Sequence, residues 1–139
     1  MTSKNTKRFE DVHPGELLPE LMVPITVTLI NGGAIATRDY FPGHHDAEAA
    51  RALGSPHVFM NILTTNGLVQ RFIEQWAGPL AQFSSLKIKL GAPNYPGDCM
   101  TFSGSVSHID ADNRAVEITL NGKNSMGNPV TGTVALVLP

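Results

Sequence analysis

Asn61-Ile62-Leu63-Thr64-Thr65-Asn66-Gly67-Leu68-Val69-Gln70-Arg71-Phe72-Ile73-Glu74-Gln75-Trp76-Ala77 is the long helical pattern of this chain. Ile62, Val69, Phe72, Ile73 and Trp76 recur at helical spacing, and Leu63 and Leu68 widen the apolar stripe. No residue between Arg51 and Arg71 is charged, so the first turns of this helix are expected to be wrapped by other structure. Gly78-Pro79 ends it, the glycine by taking a backbone conformation other residues avoid and the proline by lacking an N–H.

Beyond the helix the period changes from 3.6 to 2. Ser85 to Leu90, Cys99 to Ile109, Ala115 to Leu120 and Val130 to Leu138 read as strands, with Leu86, Ile88 and Leu90 on one face and Lys87 and Lys89 on the other in the first of them. The connections carry Pro93, Pro96 and Gly97, then Asp110 to Arg114, then Gly122 to Pro129, which suits antiparallel hairpins. On the amino-terminal side, Asp46 to Gly54 has an N-capping acid, strong helix formers and a terminal glycine, so a short helix is expected there. Ile25-Thr26-Val27-Thr28-Leu29 alternates apolar and polar side chains and is expected to be a strand. The segment before it, with Pro14, Gly15, Pro19 and Pro24, reads as an irregular arm, its residues 1–8 loose and residues 9–139 forming the domain. One buried helix and an antiparallel sheet of about five strands, curled around it, make an α+β domain of the hot-dog type.

Composition narrows the function. With 139 residues, 42% of them hydrophobic, the chain suits a single globular domain. Ten Lys and Arg against 12 Asp and Glu give a formal charge of −2, too little positive field to hold a nucleic-acid backbone. The single cysteine, Cys99, permits no internal disulfide and fits a reducing, cytoplasmic setting. Lys4, Lys7 and Arg8 are followed by Glu10 and Asp11 where an export signal would need an apolar core. The charge-free run Leu21 to Thr37 is interrupted by Pro24, Gly32 and Gly33 and is too polar for a membrane span.

The stretch Arg38-Asp39-Tyr40-Phe41-Pro42-Gly43-His44-His45-Asp46 concentrates acids and imidazoles around Pro-Gly. Pro42-Gly43 suits a type II turn with the glycine at positive φ, which would fold Asp39 and His44 toward one point. A carboxylate and an imidazole on one wall can hold a water between them and move its protons, the chemistry of hydration or its reverse. The same residues also admit a structural reading, with Asp39 capping the turn and His44 half-buried and satisfied. A metal site built from His44, His45 and Asp46 is disfavoured, since adjacent histidines point apart and no second ligand cluster occurs. His57 reads as a loop histidine and His108 as one at a strand end.

Asp39, Pro42, His44 and Asp46 resemble the signature of the MaoC-like, R-specific enoyl-CoA hydratase/dehydratase family: Asp, any residue, Asn, Pro, an apolar residue, His, often with a further Asp two positions on. The likeness extends through Phe9 to Leu18 and Lys87 to Leu90, and the family is built on the hot-dog fold. Two positions depart from the pattern. Phe41 stands in place of the Asn, and Asn61 in place of the Gly that commonly opens the central helix. Within the family, Ala36 to Asp39, His44 to Asp46, Asn61 to Pro79 and Thr101 to Gly104 resemble the small catalytic subunits of actinobacterial steroid enoyl-CoA hydratases, which work with an unlike MaoC-type subunit.

The resemblance implies an acyl-CoA thioester substrate, with CoA as part of the substrate and no cofactor or metal. It makes Asp39 and His44 the catalytic pair and the backbone N–H of Asn61 the donor to the thioester oxygen, as the start of a helix allows. Tyr40, Phe41, Thr64, Thr65 and Gly67 are the expected pocket wall, the small residues on the helix leaving room for a bulky, steroid-like acyl group. It also implies a homodimer or a heteromer with a second MaoC-type subunit. A hot-dog thioesterase is the rival enzyme, but it would need an acid on the helix, where only Glu74 is found, near the far end. A non-catalytic subunit of a larger hydratase is the rival from outside enzymology, and the presence of both Asp39 and His44 speaks against it.

Overall fold

The computed structural model describes residues 5–139. In chain order its elements are β1 (Leu21–Pro24), α1 (Val27–Ala36), α2 (Ala47–Ala52), α3 (Ile62–Ala77), β2 (Gln82–Leu90), β3 (Cys99–Asp110), β4 (Ala115–Asn124) and β5 (Gly127–Val137), with single 3-10 turns at Phe9–Asp11 and Pro42–His44. The five strands form one antiparallel sheet in the order β1-β3-β4-β5-β2. Its concave face wraps α3, as the switch from helical to alternating periodicity required.

Alternation sets which face is inside. In β4, Val116, Ile118 and Leu120 are buried, and they join Met100, Phe102 and Val106 of β3 and Val130, Val134 and Leu136 of β5 in one cluster with Leu68, Val69, Phe72 and Ile73 of α3. The Phe72 ring stacks on Phe102 at 5.5 Å between centroids. Close approach there depends on Gly104, where an added Cβ would lie 3.3 Å from the Phe72 ring and 2.9 Å from the Thr119 carbonyl oxygen. The β3–β4 register shifts between Val106 and His108, a bulge of the kind that bends a strand around a core.

The two helices expected from the sequence are present. The Asp46 carboxylate caps α2 by accepting from the N–H groups of Glu48 and Ala49, and Gly54 beyond its end has φ +94°. Asn61 caps α3, and Gly78 ends it at φ +90°.

Two expectations are corrected. Ile25 to Leu29 is not a strand. Thr26 accepts the Leu29 N–H at 3.0 Å and starts α1, and the strand of this region lies earlier, at β1, inside the segment expected to be irregular. The alternation spanned only five residues, and α1 has low intrinsic helix propensity, so its form is decided by the cap and by burial of Ile30 and Ala34, one turn apart. Pro42-Gly43 forms a 3-10 turn instead of a type II turn, and Gly43 is not at positive φ. Of the expected loose tail, residues 1–4 lie outside the described residues. Lys7 N–H donates to the Ala77 carbonyl at 2.8 Å, its ammonium pairs with Glu16 at 2.6 Å, and Thr6 Oγ1 accepts from Leu80 N–H. Among the described residues no helix is long and apolar enough to cross a membrane.

Candidate active site

Asp39 is placed by the way α1 ends. Arg38 takes a left-handed conformation, φ +56°, its N–H donates to the Ile35 carbonyl at 3.0 Å, and the Asp39 N–H reaches back to the Ala34 carbonyl at 2.8 Å. This paired closure is the Schellman motif, with Arg38 where a glycine is usual. The chain then turns through Phe41, whose N–H donates to Asp39 Oδ1 at 3.2 Å, into the Pro42–His44 turn. Gly43 is required for space: an added Cβ would come within 2.9 Å of the rings of both Phe41 and Phe59.

His44 and Asp39 meet. His44 Nε2 lies 3.4 Å from Asp39 Oδ2, with the imidazole 8% and the carboxylate 31% exposed. On the other side of the ring, Nδ1 lies 2.6 Å from the Phe59 carbonyl oxygen. A carbonyl only accepts, so Nδ1 carries a proton and Nε2 is the ring nitrogen that faces the carboxylate. An imidazole nitrogen and a carboxylate oxygen therefore converge on one point, where a water or hydroxyl can hydrogen-bond to both. Phe59 and Phe41 pack edge-on against the imidazole at 4.8 and 5.4 Å between centroids and keep the pair partly dry.

The second imidazole turns away. His45 Nε2 is 2.7 Å from the Asp39 carbonyl oxygen, its ring stacks with Tyr40, and Asp46 is committed to the cap of α2. Among the described residues no group of three or more His, Cys, Asp or Glu side chains is placed to hold a metal ion.

The amino terminus of α3 closes the site. Asn61 Nδ2 donates to Asp39 Oδ2 at 3.1 Å, and this bond, followed by that from Phe41 N–H, holds the Asp39 carboxyl below the usual carboxylate range against the opposing effect of burial, with His44 and His45 adding to it. The first bond inside the helix runs from Thr65 N–H to the Asn61 carbonyl, and the Thr64 N–H is taken by Asn61 Oδ1. The N–H groups of Asn61, Ile62 and Leu63 thus precede the helical ladder, where a ligand oxygen can accept from them.

These residues line a cleft of about 420 Å³, formed by Asp39, Phe41, His44, Phe59, Met60, Asn61, Ile62 and Leu63. A larger hollow of about 750 Å³ on the outer face of the sheet has Glu20 as its only ionisable lining residue, and so offers no acid–base pair. Of the expected pocket wall, Phe41 lines the cleft. Thr64 and Thr65 are buried behind it, against Asn61 and Met60, while Tyr40 and Gly67 are exposed outside it. The helix stripe did not reveal that the first turn of α3, through Ile62 and Leu63, faces the cleft in place of the next. Phe59, Met60 and the Asn61 side chain were also missed; an Asn at a helix start signals a cap, but its second bond, to a residue 22 positions away, has no local signature. Glu74, the acid a thioesterase reading needed, does not line the cleft.

The sheet wrapped on α3 is the hot-dog fold. No protein-family model matches the chain. Over 122 residues, 88% of this chain and 93% of the other, it is 43% identical to the 3-oxo-4,17-pregnadiene-20-carboxyl-CoA hydratase beta subunit of Mycobacterium tuberculosis. Among solved structures it resembles a chain of the ChsH1-ChsH2 complex of the same organism, with TM-score 0.88 and 42% identity over 91% of this chain and 98% of that one. It also shares its fold with the (R)-hydratase of A. caviae involved in PHA biosynthesis, with TM-score 0.86 and 18% identity over 94% and 99% of the two chains. The chain belongs to the MaoC-like enoyl-CoA hydratase/dehydratase family and is a hydro-lyase.

Proposed function

We propose that the chain adds water across the double bond of a 2-enoyl-CoA, or removes it in reverse, with Asp39 and His44 as the acid–base pair and a steroid side chain as the acyl group. The observation that carries this is the convergence of His44 Nε2 and Asp39 Oδ2, 3.4 Å apart, beside the open end of α3. The thioester oxygen would accept from the N–H groups at that helix start, which draws electrons from the β-carbon. Water gives a proton to the pair as its oxygen bonds to the β-carbon, and the π electrons move onto the thioester as an enolate. The α-carbon then takes a proton back from the pair, so that one water is added and no group is oxidised or reduced. The route draws on side chains and main chain alone and calls for no cofactor.

Support for the substrate comes from the cleft wall, where Phe41, Ile62 and Leu63 are 46, 59 and 51% exposed and offer apolar surface to a large acyl group, and from the steroid-acyl name of the relative. Ile35 of α1, 56% exposed, together with the outer edges of β1 and β2, supports pairing with a second MaoC-type subunit, as the relative's name and the solved complex suggest. A free cysteine suits the cytoplasm.

The test follows loss of the enoyl-thioester absorbance for a steroid 2-enoyl-CoA and for crotonyl-CoA, with the chain alone and mixed with an unlike MaoC-type subunit. Turnover of the steroid substrate is expected, and Asp39→Asn and His44→Ala should each lower kcat by about 10²-fold or more at unchanged thermal stability. Near-normal turnover by either variant would remove that residue from the mechanism. A strong preference for crotonyl-CoA would remove the steroid assignment.

A further inference from the structure

We propose that the Asn61 side chain is a positioning residue for Asp39, a single amide that ties the carboxylate to the end of α1 and the start of α3. The inference rests on the reading of Asp39 as the proton acceptor.

The amide is 3% exposed and all of its hydrogen-bonding capacity is used. Its oxygen accepts from Thr64 N–H at 3.0 Å and from the Thr64 hydroxyl, and its nitrogen donates to Thr37 Oγ1 at 2.9 Å and to Asp39 Oδ2 at 3.1 Å. The orientation of the amide is set chemically. A backbone N–H can only donate, so the Asn61 atom facing Thr64 N must be oxygen, and the NH₂ group is left facing Asp39. Thr37 gives its own hydroxyl proton to the Gly33 carbonyl at 2.8 Å, which leaves its lone pair for Asn61. The relay runs without a gap from the last turn of α1 through Asn61 to the carboxylate.

The other carboxylate oxygen, Oδ1, is held by Phe41 N–H. With both oxygens anchored, the carboxylate plane is fixed, and Oδ2 keeps one side free for a proton from the point it shares with His44. Capping α3 does not require this residue, because a Ser or Asp at the same position also accepts from Thr64 N–H. Donation to Asp39 does require the amide. The side chain at position 41 that supplies an Asn in the family pattern is Phe here and gives Asp39 only its main-chain N–H, so the polar support reaches the acid from the helix start instead.

Two variants separate capping from positioning. Asn61→Ser keeps a capping oxygen and removes the donor, while Asn61→Asp keeps size and cap and sets an acceptor against Asp39. Both should fold with little change in thermal midpoint. Serine should lower kcat by about 10- to 100-fold with KM little changed, and aspartate should lower it further. In both, the acid limb of the kcat–pH profile and the NMR-detected titration of the Asp39 carboxyl should move to higher pH, because the charged form has lost its strongest partner. A wild-type protein active on enoyl-CoA whose kcat, pH profile and Asp39 titration are all unchanged in both folded variants would overturn the tether. A wild-type protein inactive on every enoyl-CoA, with the titration still moved in both variants, would overturn the hydratase reading and leave the tether standing.

Discussion

Helices α1 and α3 flank the same cleft and deliver its two halves, yet they are built on different principles. Helix α3 carries a 16-residue stripe whose inner face, Leu68, Val69, Phe72 and Ile73, is pressed into the curl of the sheet. Helix α1 has ten residues with no charged side chain and two adjacent glycines, and of its side chains only Ile30 and Ala34 are fully buried. The longer helix is held along its length by burial. The shorter one, beyond burying Ile30 and Ala34, is held at three points: the Thr26 cap, the approach of Gly33 to Thr64, and the closure at Arg38 that hands the chain to Asp39. A scaffold needs area, whereas a side chain placed to meet another, as Asp39 meets His44, needs its backbone fixed at a particular residue, and terminal motifs fix a backbone more sharply than a diffuse apolar face.

The largest expected effect tests the α3 side. Phe72→Ala removes a fully buried ring stacked on Phe102 and should cost about 3–5 kcal/mol, read from urea unfolding. A loss under about 1 kcal/mol would mean that the stripe does not carry the helix and would erase the contrast with α1.

On the α1 side, two neighbouring glycines should respond with opposite signs. A Cβ at Gly33 would overlap the Thr64 hydroxyl and lie 2.8 Å from its methyl carbon, so Gly33→Ala should destabilise by about 1–3 kcal/mol. Around Gly32 there is open space within 4 Å, and Gly32→Ala should stabilise by up to about 1 kcal/mol through helix propensity alone. Equal responses would show that propensity, not the contact with α3, governs α1. Because Thr64 bonds Asn61, the Gly33 variant should also lose hydratase activity beyond its loss of stability, whereas the Gly32 variant should not.

The same contrast explains what could be read from the chain beforehand. Periodicity over many residues identifies α3 and the long strands, because burial imposes a repeat on every turn or every second residue. Helix α1 leaves no such repeat, and the five alternating residues Ile25 to Leu29 that run across its start imitate a strand. The pair Asp39 and His44 was legible as residue types at a turn, although the turn was misjudged. Gly43 answers a shortage of space between two phenylalanine rings, and residue type alone does not distinguish that need from positive φ. The wall of the cleft was the least legible part. Which turn of α3 faces Asp39 depends on how α1 docks, and that docking rests on the Gly33–Thr64 approach between distant parts of the chain.

The smallest effect concerns Arg38. Its φ of +56° crowds the side chain against its own backbone, at a cost of roughly 1–2 kcal/mol for a residue other than glycine. Glycine would remove that strain but would also loosen the unfolded chain, which costs the native state about 0.4–1 kcal/mol in return. Arg38→Gly should therefore stabilise by no more than about 1 kcal/mol and raise the thermal midpoint by a few degrees at most. Activity should be retained, because the bond from Asp39 N–H to the Ala34 carbonyl involves no side chain and the exposed guanidinium makes no hydrogen bond or ion pair among the described residues. A net destabilisation would mean that the arginine side chain itself holds the end of α1. The account of that helix as fixed by main-chain closure would then fail at the residue next to Asp39.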